Sequence, residues 1–171
     1  MILGMSLANF TALHVVLSLI GIGTGLVVLY GLIRSRSLAG WRVAFLATTI
    51  LTSVTGFLFP FERVLPSHIF GVISLVLLAV ALVALYGYRL AGRARWIYVV
   101  AAVAALYLNA FVGVVQAFLK VSLLQPLAPT QTELPFIAAQ GLTLVAFVVF
   151  GYLAVRGFRP EGRSAMLLRA A

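Results

Sequence analysis

The sequence predicts an all-α integral membrane protein: a bundle of five transmembrane helices, N-terminus outside and C-terminus inside. Three observations predict it. The chain is 64% hydrophobic and only 9% charged, with a mean hydropathy of +1.19; soluble domains carry roughly one quarter charged residues. Five apolar stretches alternate with short polar breaks, and each offers about 20 residues or more, enough to cross hydrocarbon. Ten of the twelve basic residues sit at one end of those stretches. Arg34, Arg36 and Arg42 fall in the first break, Arg89, Arg93 and Arg95 in the third, and Arg156, Arg159, Arg163 and Arg169 after the fifth stretch. Only Arg63 and Lys120 fall at the other end. Cytoplasmic flanks of membrane spans collect Lys and Arg, so this pattern sets the orientation.

The spans are expected at residues 10–33, 41–61, 67–88, 96–119 and 134–155, within a single transmembrane domain over residues 1–157. In lipid each must be helical, because a helix satisfies its own backbone hydrogen bonds. Residues 1–10 lack a basic n-region and a cleavage site, so span one reads as retained rather than as a signal. It carries Gly21 and Gly25, a GxxxG pair. Span two carries Thr48, Thr52 and Thr55 on one face, with Thr49, Ser53 and Gly56 beside it. Small and hydroxylic residues let membrane helices approach and bond across the gap. Pro60 and Pro66 bracket the second break, and Ser67 is a candidate cap for span three unless Pro66 belongs to the turn. Span four carries Asn109 and Gln116, seven apart and so on roughly one face. The longest break, residues 121–133, holds Pro126 and Pro129 and lies outside. Thr132 and Pro135 form the cap region of span five. Residues 158–171 form a basic, polar cytoplasmic tail.

Composition excludes several functions. Without cysteine there is no disulfide, iron–sulfur cluster or thiolate zinc site. There is no aspartate, no GxSxG and no P-loop. The run Gly21-Ile22-Gly23-Thr24-Gly25 lies inside a span and is no nucleotide loop. The net charge of +9 reflects arginines flanking apolar segments, not a continuous patch for nucleic acid. Their ordinary partner is the lipid bilayer with its anionic headgroups. The chain does not read as an enzyme.

The two halves share a pattern. His14 precedes Leu29-Tyr30-Gly31, an arginine loop and Trp41; His68 precedes Leu85-Tyr86-Gly87, an arginine loop and Trp96. This suggests two pseudo-equivalent helical hairpins, a parallel repeat, plus a fifth helix. Interfacial Tyr and Trp are also expected of any such hairpin.

Polar residues collect at the outer end. His14 and His68, the only histidines, lie near the outer ends of spans one and three. Asn109, Gln116, Lys120, Gln125, Gln131, Glu133 and Gln140 belong to the same region, with Glu62 and Arg63 in the short outer turn and Phe57, Phe59 and Phe61 as an aromatic rim. Four readings stay open beside plain interface histidines. Haem b could take His14 and His68 as axial ligands, since haem iron needs one or two imidazoles from facing helices. A metal could use both histidines with Glu62 or Glu133. A quinone or other lipid-like ligand could bond to His14 or His68 and Gln116 against the phenylalanines. Transport is weaker, because ion and proton paths need polar groups through the membrane depth. Self-association through the Gly21/Gly25 face, or membership of a larger membrane complex, would suit an accessory subunit.

The stretch Val115-Gln116-Ala117-Phe118-Leu119-Lys120-Val121, with residues 127–136 and Ala139-Gln140, resembles a group of small bacterial membrane proteins of unassigned function, as does the Thr55–Pro60 run. The resemblance implies a multi-span protein of the bacterial inner membrane and brings no activity with it.

Overall fold

A computed structural model describes residues 1–60 and 66–159. Phe61, Glu62, Arg63 and the tail arginines Arg163 and Arg169 lie outside the described residues. Among the described residues the fold is all-helical. The elements are α1 (Leu7–Ile33), α2 (Ala39–Gly56), α3 (Pro66–Leu82), α4 (Ala94–Lys120) and α5 (Leu134–Gly157). A π-helical turn, Val83–Gly87, continues α3, and a single 3-10 turn, Gln125–Leu127, lies between α4 and α5.

The ends differ from expectation for local reasons. Helix α1 starts three residues early because the Ser6 hydroxyl accepts the Asn9 N–H at 3.2 Å and caps it. Helix α2 stops at Gly56, short of residue 61. Helix α3 begins at Pro66, a residue well suited to a first helical turn. Its π-helical end reverses sharply through Arg89, Leu90 and Gly92, all at positive φ. The residue before α5 is Glu133, one after the expected Thr132.

Four segments are long and apolar enough to cross a membrane: α1, α3 with its π-helical turn, α4 and α5. Helix α2 is the exception. Its 18 residues span about 27 Å at 1.5 Å each, against about 30 Å of hydrocarbon. Arg42 and the Thr/Ser residues dilute its apolar character. Most of those hydroxyls bond inside the helix: Thr48 donates to Ala44 O at 2.7 Å, Ser53 to Thr49 O at 3.0 Å and Thr55 to Leu51 O at 2.7 Å. Such back-bonding is how a hydroxyl tolerates an apolar helix.

The helices run up and down. At one end Phe10 of α1 meets Phe59 beyond α2, with ring centroids 5.0 Å apart. Phe57 beside α2 meets His68 of α3 at 5.8 Å, and Phe118 of α4 meets Phe136 of α5 at 5.5 Å. At the other end, Ser35 after α1 and Arg159 after α5 bond reciprocally at 2.8 Å, and Arg95 of α4 donates to Phe158 O at 2.6 Å. Helices α1, α3 and α5 are thus parallel to one another and antiparallel to α2 and α4. The described arginine-bearing ends gather on one side of the bundle.

Helix α4 is the hub, packed against α1, α3 and α5. Ala101, Ala102 and Ala105 are buried there, and their small side chains let neighbours come close. Helix α5 lies at the margin: Ala154 is its one buried residue, while Leu142 and Val148 are exposed. That apolar surface suits lipid contact.

Gly21 and Gly25 of α1 face inward. A Cβ at Gly25 would strike Leu106 Cδ1 and stand 2.9 Å from the Phe45 ring; one at Gly21 would stand 3.0 Å from Asn109 Nδ2. The GxxxG face therefore serves α1–α2–α4 contact within one chain. Both glycines are buried in that contact. Self-association by another face is a separate matter.

Candidate functional site

The residues expected at the outer end divide between two places. His14, on α1, has its Nδ1 at 2.8 Å from Thr55 Oγ1 on α2. The Thr55 hydroxyl has one proton, and its acceptor is either a helix carbonyl, Leu51 O at 2.7 Å or Thr52 O at 3.1 Å, or His14 Nδ1. When the proton goes to the helix carbonyl, Thr55 Oγ1 accepts from His14 Nδ1–H and a lone pair is left on Nε2. The ring stands edge-on to Phe59, 5.3 Å between centroids at 88°, and faces Gly56, where a Cβ would lie 3.7 Å from Cε1. The imidazole, bonded through Nδ1 to Thr55, is thus framed by Phe59 and Gly56. His68 leans instead on Phe57, at 5.8 Å. Phe57 in turn fills the space over Gly71, where a Cβ would lie 2.9 Å from the ring.

The second place is the middle of the bundle. Asn109 lies beside Gly21, and so do Thr49 Oγ1 and Thr48 Oγ1, 3.2 and 3.4 Å from where a Gly21 Cβ would stand. Asn109 Nδ2, Thr49 Oγ1 and Thr52 Oγ1 are buried without a hydrogen-bond partner. Two of these unpartnered atoms, Asn109 Nδ2 of α4 and Thr49 Oγ1 of α2, thus collect beside Gly21 in the middle of α1. An unpartnered buried hydroxyl costs about 1–3 kcal/mol. Thr49→Val keeps the shape and removes the hydroxyl, so it is expected to raise stability by about 1 kcal/mol. Thermal unfolding in detergent checks this, and a lowered midpoint would mean that Thr49 holds something in place.

The remaining candidates hold the outer loop and α5. Gln140 Nε2 donates to Phe111 O at 3.2 Å, and Gln131 Nε2 to Val115 O at 3.1 Å, fastening α5 and the loop to α4. Such bonds contribute on average only about 0.6 kcal/mol in membrane bundles, so packing dominates here too. Glu133 accepts from Thr130 N at 3.1 Å, Thr130 Oγ1 at 2.9 Å and Thr132 N at 3.0 Å. Desolvation acts upward on its carboxyl, but the Thr130 hydroxyl and the backbone N–H groups outweigh it and hold the pKa below the ordinary value. Glu133 therefore organises its own loop. Gln116 and Lys120 are exposed on α4. Among the described residues, no three of His, Cys, Asp and Glu gather as metal ligands, so Glu133 does not complete a metal site with the histidines. Glu62 lies outside the described residues.

The Thr55 partnership went unseen in the sequence, although His14 and the Thr48/Thr52/Thr55 face were both conspicuous. Their pairing depends on the α1–α2 register. No protein-family model, curated protein or solved structure matches the chain.

Proposed function

We propose that this chain is a small multi-pass protein of the bacterial inner membrane, N-terminus periplasmic and C-terminus cytoplasmic. Its work is to bind a lipid-like ligand at the outer end of the bundle. The observation that carries the reading is the His14–Thr55 bond. With Nδ1 donating to Thr55, Nε2 is an acceptor, at aromatic walls, for a ligand with an apolar body and a donating headgroup. A quinol has that chemistry, and its O–H would donate to Nε2. Helix α2 crosses the membrane with the other four, and the α1–α2 and α3–α4 hairpins are pseudo-equivalent.

The test is a titration of the detergent-purified protein with a short-chain quinol, read by calorimetry. Saturable binding is expected, weakened at least about tenfold by His14→Ala, since one lost hydrogen bond in a dry site is of that order. Binding indifferent to His14→Ala would sink the proposal.

Haem b is the second reading, favoured by the same bond. Metal-ligating histidines usually donate their other ring N–H to a nearby oxygen, and Thr55 fills that role. One histidine suffices for some haem sites. A Soret band lost on replacing His14 would move the account from quinol to haem. Lacking such a band, the protein would stay with lipid-like ligands or an accessory role in a larger complex.

A further inference from the structure

The arginine-bearing end of the bundle holds a cleft that the outer site does not use. It is lined by Arg36, Ser37 and Arg42 on one side, and by Tyr98 with the apolar Val28 and Phe158 on the other. Three arginines of this end lie over belt aromatics. Arg34 lies over Tyr30 at 5.9 Å, Arg95 over Trp96 at 5.9 Å and Arg156 over Tyr152 at 4.6 Å. Arg42 behaves differently. Its Nε is buried without a hydrogen-bond partner. Beside it, Tyr98 is 0% exposed and its hydroxyl is equally unpartnered. A buried guanidinium N–H and a buried phenol O–H, on two residues that line one cleft, are two donors in need of acceptors.

We propose that this cleft binds a phosphate group, through Arg42 and Tyr98 with Arg36 and Ser37 at its mouth. Phosphate oxygens are strong acceptors that suit guanidinium donors and hydroxyls together. The apolar wall of Val28, Leu32 and Phe158 favours a phosphate with hydrocarbon attached, the headgroup of an anionic phospholipid. Basic pockets between membrane helices commonly take such groups. A free phosphate would use the same donors. The site is independent of the outer-end reading, so either can fail without the other.

The full-length protein in uncharged detergent is titrated with phosphatidylglycerol or with inorganic phosphate, and the unfolding midpoint is followed. A saturable rise is expected with phosphatidylglycerol. Arg42→Gln should weaken the half-point about tenfold and Tyr98→Phe about threefold, the losses of a charged and a neutral hydrogen bond. Arg89→Gln, exposed at the same end, should leave it unchanged. If Arg42→Gln lowers the midpoint before any anion is added, Arg42→Lys replaces it. That variant keeps the charge without the Nε–H and should weaken binding about threefold. A rise with phosphatidylglycerol alone assigns the site to a headgroup; an equal rise with phosphate alone assigns it to a soluble phosphate compound. The proposal is overturned if neither anion gives a saturable rise. Equal losses in Arg42→Gln and Arg89→Gln would also overturn it.

Discussion

Gly25→Leu is expected to unfold the bundle rather than to separate two copies of it. Gly25 lies where α1, α2 and α4 meet. Phe45 and Leu106, the residues a side chain there would strike, are each 1% exposed and have nowhere to turn. Overpacking a filled core costs about 1–3 kcal/mol for a few added methylenes, and four added carbons fall at or above the top of that range. A matched control lies two residues away. Gly23 is exposed on the same helix, and a Cβ there meets nothing within 4 Å. Gly23→Leu should therefore keep the wild-type midpoint. The two variants, compared by thermal unfolding in detergent with crosslinking alongside, separate the alternatives. If the GxxxG face joined two chains, Gly25→Leu would abolish a crosslinked dimer and leave a stable monomer.

That glycine pair shows how far the sequence could be read. Two small residues four apart mark a close approach of helices, whatever the partner. Whether the partner is a second chain or Phe45 and Leu106 depends on which way α1 faces. Periodicity cannot answer that in a helix apolar on every side, because no polar stripe marks its lipid face. The helices were legible as apolar stretches between polar breaks, and length and composition suffice to mark four of them as spans. Their ends moved with local chemistry: the Ser6 cap lengthened α1, and α2 stopped at Gly56.

Asn109 teaches a related lesson. Its spacing from Gln116 correctly set the two near one face of α4. Seven residues also make about 10 Å of rise. Gln116 is exposed toward the outer end, while Asn109 reaches the middle of the bundle beside Gly21 and Thr49. Depth matters as much as face in a membrane helix, and heptad spacing reports only face. Glu133 and Gln140 were recognisable as polar residues of the outer region. Their hydrogen bonds to Thr130 and Phe111 O, which give them structural work, required the fold. Tyr98 carried no signal at all, since an aromatic beside an arginine loop looks like any belt residue.

Helix α2 carries the largest consequence for the architecture. It supplies Thr55 to His14, Thr49 to the middle cluster and Arg42 to the arginine-end cleft, so both proposed sites depend on where its two ends lie. It is also the one helix that length and hydropathy leave outside the spanning set. The packing favours a crossing. Its far end meets Phe10 and His14 near the start of α1, and its near end follows directly on the Arg34–Leu38 turn after α1. That antiparallel packing is what supports the proposed fifth crossing.

The absence of native cysteine makes this measurable without background. Single cysteines at Ser37, Pro60 and Gln125 are treated with an impermeant maleimide in intact cells with a permeabilised outer membrane, and again after lysis. Pro60→Cys and Gln125→Cys are expected to react in intact cells, and Ser37→Cys only after lysis. Reaction of Ser37→Cys and Pro60→Cys from the same side would contradict a five-span bundle. The outer site at His14 and the phosphate cleft at Arg42 could then no longer lie on opposite faces of the membrane.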